Sequence, residues 1–135
     1  LCTSGASQNG KDIEELLSLS DWIIVDYKLR SANTRLSTQN NLLLFLYKSV
    51  SHRKSEIKFV VSSEKDFIEI KELFQKYSWL ASRSIIQPMY NVQKMIPENV
   101  SRLANHFLLL SKEFSELRFM LQQHKHIWPG VQRGV

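Results

Sequence analysis

Gln122, Gln123, His124, Lys125 and His126 follow one another directly after the apolar run of residues 117–121. Such a run reads as a buried strand. Polar groups just past the carboxyl end of a buried strand sit where α/β proteins bind ligands. A glutamine side chain offers a donor and an acceptor, and a neutral histidine one of each, so their edges can read a flat polar heterocycle. Trp128-Pro129 then makes a turn, and a short tail closes on the carboxylate of Val135. The plain alternative is a terminal strand whose polar residues fray into solvent.

Similar groups recur upstream. Thr3-Ser4-Gly5 precedes the first helical stretch, Asp26-Tyr27-Lys28 follows the first complete strand, Ser62-Ser63 the second, and Gln87 ends the third. Singly each has a dull explanation: a turn, a cap, a satisfied backbone group, or a surface pair worth under about 1 kcal/mol. Together they fall on one edge of a parallel sheet, the carboxyl edge that carries active sites. No self-sufficient catalytic set accompanies them. His52, His106, His124 and His126 form no HExxH, and neither GxSxG nor a phosphate-binding loop occurs. His124 and His126 face the same side of a strand, but two ligands without a third make a poor metal site. The single cysteine, Cys2, excludes an internal disulfide and a cysteine-cluster metal site built from these residues alone.

The elements that must position these groups alternate. Residues 11–19, with Ile13, Leu16 and Leu17 on one face, suit a short amphipathic helix. The unbroken run of 22–25 reads as a strand covered on both faces. A second helix fits 38–49, a strand 56–61, and a helix 64–76 with Ser63 and Asp66 as a loose capping box. A strand over 84–89 is closed by Pro88. Pro97 opens a long helix to about residue 112, with Leu103, Phe107, Leu110 and Phe114 as its core stripe. The last strand is 117–121. Strands separated by helices imply right-handed crossovers and a mainly parallel sheet. The chain therefore reads as one α/β domain, 1–135, or part of one.

The 135 residues suffice for one modest core. Hydrophobic residues at 43% and charged residues at 23% are ordinary globular values. No stretch approaches the roughly 20 apolar residues of a membrane span, and no signal peptide pattern is present. The net charge of +5 is scattered, without a basic block or interleaved aromatics, which favours a solvated basic surface over a nucleic-acid patch. The expected compartment is the cytoplasm. The chain begins on Leu1, and its opening residues read as the end of an earlier unit, so an amino-terminal half is expected to precede it.

Several segments in order carry a resemblance. Ser4-Gly5 comes after a strand. VDYKL at 25–29, EIKFVVSSEKDF at 56–67, a strand ending in Gln87-Pro88, LQQHKHIW at 121–128 and a closing RGV follow. This order resembles the 7-carboxy-7-deazaguanine synthase family, radical S-adenosylmethionine (SAM) enzymes of queuosine and other 7-deazapurine biosynthesis. The resemblance runs from Leu1 to Val135 and is most specific at Gln122-x-His124-Lys125 and Gly134-Val135. It implies the carboxyl-terminal part of a reduced radical SAM partial (β/α) barrel. It also implies conversion of 6-carboxy-5,6,7,8-tetrahydropterin to 7-carboxy-7-deazaguanine with loss of ammonia. SAM, a [4Fe–4S] cluster and Mg²⁺ are the implied cofactors, with the cluster and Mg²⁺ ligands in the preceding half, so that this chain alone is expected to be inactive. The implied partners are the small-molecule substrate and a second copy of the chain in a homodimer, with neither membrane nor nucleic acid.

Position by position, the resemblance assigns Thr3, Ser4, Asp26, Lys28 and Gln87 to SAM, and Gln122, His124 and the Val135 carboxylate to the pterin. The chain departs from the family at Cys2, where an acidic residue is usual, and in the Ala32-Asn33-Thr34 loop. The competing class is a non-catalytic basic α/β module that binds RNA or a protein. Steep salt dependence of nucleic-acid binding would distinguish it.

Overall fold

The computed structural model describes residues 2–3, 15, 18–32, 55–90 and 97–123. Among the described residues five strands form one sheet: β1 (Cys2–Thr3), β2 (Ile23–Tyr27), β3 (Ser55–Val61), β4 (Ser84–Pro88) and β5 (Arg118–Phe119). They lie side by side in chain order, and every pair is parallel. The α/β class and the parallel sheet match the sequence pattern. A doubly wound sheet reverses its strand order at a switch point. This one does not reverse, and right-handed crossovers along an unreversed order put their connections on one face.

Two described α-helices lie on that face. α1 (Glu64–Lys76) starts where Ser63 and Asp66 close a capping box. Phe67, Ile70 and Phe74 give it a buried stripe at helical spacing. α2 (Pro97–Glu113) opens on a proline, whose missing N–H is no loss in a first turn. Leu103 and Leu110 are buried, and Phe107 and Phe114 pack against the same core. The sheet contributes Ile23, Val25, Tyr27, Ile57, Phe59, Val61 and Ile86. Rings tie the layers together. Phe59 meets Phe74 edge-on at 5.8 Å, Phe74 meets Phe114 at 5.1 Å, and Phe107 meets Phe119 at 5.1 Å. A 3₁₀ segment, Ser78–Arg83, buries Leu80 and Ala81 under this core.

Two strands differ from expectation. β2 was expected at 22–25 with both faces covered. It runs instead to Tyr27, with burial alternating residue by residue, and Trp22 is half exposed. Among the described residues, helices cover only one face of the sheet, so an apolar run does not mean two covered faces. Asp26 and Tyr27 therefore belong to the strand and do not follow it. β5 was expected as a buried strand over 117–121. Only Arg118 and Phe119 pair, only Leu117 is buried, and Met120 and Leu121 are exposed. Among the described residues it borders β4 alone, and Met120 N–H donates a further bond to the Ile86 carbonyl at 3.0 Å. Of the helix expected at 11–19, Glu15, Ser18 and Leu19 are described and helical. The helix expected at 38–49 lies outside the described residues.

Candidate functional site

Strand alternation sends one set of side chains into the helix layer and the other set to the opposite face. On β2 to β5 that second set is Ile24 and Asp26, Glu56, Lys58 and Val60, Ile85 and Gln87, and Arg118. The charged members are paired. Lys28 Nζ lies 2.5 Å from Asp26 Oδ2, and Lys58 Nζ lies 3.7 Å from Asp26 Oδ1. Arg118 reaches across β4 to Glu56 at 2.5 Å. Parallel pairing fixes this layout, because Asp26 sits beside Lys58, Lys58 beside Ile85, and Ile85 beside Arg118. Asp26 Oδ1 is buried and accepts no hydrogen bond. A buried acceptor without a donor is costly, and in native structures such an atom calls for an explanation.

At the carboxyl edge of β3 and β4 the chain leaves a cavity of about 340 Å³, lined by Ser62, Ser63, Met89, Asn99, Arg102 and Leu103 among others. That volume falls within the range of small-molecule sites, roughly 300–1,000 Å³. Its wall at Ser62 and Ser63 is held by Asp66. The Asp66 Oδ2 atom accepts the Ser62 N–H at 2.6 Å, the Ser63 N–H at 2.9 Å and the Ser62 hydroxyl at 3.0 Å. Burial pushes the Asp66 carboxyl up, but hydrogen bonds from the Ser62 N–H, the Ser31 hydroxyl, the Ser63 N–H and the Ser62 hydroxyl together hold it below its ordinary value. Ser31 lies in the 3₁₀ turn Arg30–Ala32 after β2, so this one carboxylate joins the ends of β2 and β3. Below it, burial and the Glu69 carboxylate push the Tyr27 hydroxyl up to about 12. Tyr27 is thus a neutral core group.

The residues assigned from sequence divide as follows. Asp26 and Lys28 are in direct contact. Gln87 is half-buried on the same face, beside Val60 in the register. Thr3 pairs with Val25 in β1. Gln122 is half-buried just past β5. Ser4, His124 and Val135 lie outside the described residues. Lys58, Glu56 and Arg118 were missed, and so were Asn99 and Arg102. Lys58 and Glu56 read as the outward residues of an alternating strand, and nothing in the sequence sets their cross-strand partners. A smaller hollow of about 180 Å³ lies between α1 and α2, lined by Phe67, Ile68, His106 and Leu109 with Glu64, Lys71 and Glu113 at its rim. It is below the usual size of a ligand site.

Neither a protein-family model nor a curated protein matches the chain. The family resemblance rests on the residues quoted for it above. Among the described residues no helix is long and apolar enough to cross a membrane. No group of three His, Cys, Asp or Glu side chains that could hold a metal comes together among them. One cysteine cannot supply the several thiolates of an iron–sulfur cluster, so these residues do not fit that group. SAM is different. It carries hydroxyl and ammonium donors, and the unbonded Asp26 Oδ1 is an acceptor such a ligand could use; Gln87 lies on the same face two strands away.

Proposed function

We propose that this chain is part of a 7-carboxy-7-deazaguanine synthase and holds SAM and a carboxylated tetrahydropterin on the second face and carboxyl edge of its sheet. The observation that carries the proposal is the sheet itself. Five parallel strands run in unreversed order with the described helices on one face. The other face bears a charged strip, and a cavity opens at the carboxyl edge between the ends of β3 and β4 and the start of α2. A partial (β/α) barrel has this winding, with its binding groups at the carboxyl ends of the strands.

In this reading Asp26, Lys28 and Gln87, with Thr3 and Ser4, hold SAM. The cavity beside Ser62 and Met89 receives its flat, partly apolar adenosyl portion. Gln122, His124 and the Val135 carboxylate hold the pterin, whose rim of donors and acceptors suits them. Bound SAM, with a cluster whose thiolates these residues do not supply, would provide the radical chemistry, and this chain's residues would orient the reactants and exclude water. The cluster thiolates and the Mg²⁺ ligand come from outside these 135 residues, and the working unit is a cytoplasmic homodimer. A pocket that matches the polar rim of the pterin rejects analogues that leave buried groups unpaired.

Equilibrium titration tests the proposal. S-adenosylhomocysteine and, under argon, 6-carboxy-5,6,7,8-tetrahydropterin should each bind saturably at one site. A single-stranded RNA should not bind at physiological salt. RNA binding that falls steeply with salt, with no binding of either small molecule, overturns the proposal in favour of a nucleic-acid module.

A further inference from the structure

The turn that follows β2 is fastened to α1 at two consecutive residues. Glu69 Oε2 accepts the Arg30 N–H at 3.0 Å. Asp66, one helical turn earlier on the same face of α1, accepts the Ser31 hydroxyl. Within the turn the Ala32 N–H bonds back to the Leu29 carbonyl at 2.9 Å, and Leu29 is buried. Glu69 is not a solvated surface acid, since its side chain is only 11% exposed. The Arg30 guanidinium stands 4.0 Å away and is 74% exposed, and so loose and solvated an ion pair adds little. The Glu69 charge also reaches inward, where it is, after burial, the largest cause of the raised Tyr27 hydroxyl. A carboxylate drawn this far out of water is costly unless it is hydrogen-bonded. Among the described residues the bond that offsets this cost goes to the Arg30 backbone.

We infer that Glu69 is a positioning residue of the carboxyl-edge site, fixing Lys28 through the backbone of Arg30. Lys28 is held between two anchors. On its amino side Tyr27, the last residue of β2, is buried and in register with Phe59. On its carboxyl side Leu29 is buried, and Glu69 pins Arg30. With both neighbours fixed, the Lys28 side chain leaves the strand end in one direction, toward Asp26. Asp66 does not replace Glu69 in this task. Its bond to the turn goes to a hydroxyl, which rotates with its own side chain and leaves the backbone free. The inference rests on the proposed function, which gives Lys28 its ligand; the fastening of the turn does not.

The test compares the unaltered chain with two variants. Glu69→Gln keeps an acceptor for the Arg30 N–H and loses the charge. Glu69→Leu fills similar space and has no acceptor. S-adenosylhomocysteine affinity and backbone amide exchange are measured on all three. Glu69→Leu should weaken S-adenosylhomocysteine by about tenfold, the scale of one hydrogen bond to a charged group. It should also speed amide exchange at Arg30 and Ala32, while exchange at Ile57 and Phe59 in the neighbouring strand stays as in the unaltered chain. Glu69→Gln should restore the slow exchange and most of the affinity. Full affinity in Glu69→Leu, or an equal loss in Glu69→Gln, overturns the positioning role while the proposed function stands. A Glu69→Leu chain that unfolds, or that exchanges faster throughout the sheet, also overturns it, since Glu69 then holds the whole fold. Failure of S-adenosylhomocysteine to bind the unaltered chain overturns the proposed function and the positioning role together.

Discussion

Asp66→Asn should cost the fold about 2 kcal/mol at neutral pH and loosen the cavity wall. Asp66 is almost fully buried, and one of its oxygens takes two backbone N–H bonds and a hydroxyl. Asparagine keeps an acceptor but not the charge. Hydrogen bonds to a charged group are worth about 1.5–3 kcal/mol, against about 0.5–1.5 for neutral ones. The two backbone bonds thus each lose roughly 1 kcal/mol. With a urea slope of about 2 kcal/mol per molar for a domain of this size, the midpoint should fall by about 1 M. The pH dependence follows from the lowered value. A carboxyl whose folded value lies below its unfolded one, near 3.8, contributes fully above that pH and loses its contribution as pH falls through the folded value. Urea melts of both proteins should therefore differ most from pH 5 to 7, and the difference should start to shrink near pH 3.8 and close only as pH falls through the lower folded value. Equal midpoints at pH 7, or a difference that persists undiminished in acid, would refute the reasoning.

Three further outcomes follow from the same structure. Tyr27, raised to about 12, should resist ionisation in alkaline titrations followed by ultraviolet absorbance, and its contribution to stability, complete below pH 10, should disappear between pH 10 and 12. A double-mutant cycle on Arg118→Ala and Glu56→Ala should give a coupling under about 1 kcal/mol that shrinks with salt, since Arg118 is nearly half exposed; a coupling above 2 kcal/mol would show a desolvated pair. Met89→Trp should fill the cavity and weaken S-adenosylhomocysteine binding at least tenfold with an unchanged urea midpoint; unchanged affinity would remove the cavity from the site.

Local signals in the sequence were sufficient for β3, α1, β4 and α2. Ser63 with Asp66, the proline at position 97, and the stripe from Leu103 to Phe114 mark element ends and buried faces within a few residues of each other. The limits of β2 and β5 were less legible. Whether Trp22 or Met120 is buried depends on what covers each face of the sheet, and that is a tertiary fact. Asp26 with Lys28 was legible as a pair, although Asp26 lies within β2 and not past its end. Lys58 and the Glu56–Arg118 bridge were not, because the partners are set by strand register, and in the bridge they stand 62 residues apart. Asn99 and Arg102 reach the cavity through the rotation of α2 over the sheet edge, for which a single sequence has no marker.

The most direct test is amide chemical-shift mapping of the isotopically labelled chain, titrated with S-adenosylhomocysteine and then with 6-carboxy-5,6,7,8-tetrahydropterin under argon. The largest shifts should fall at Asp26, Lys28, Ser62, Gln87 and Met89 for the first ligand, and extend to Gln122 with the second. Shifts confined to the outer face of α1 and α2, around Ile68 and Leu109, or no shifts at all, would contradict a ligand site on the second face and carboxyl edge of the sheet.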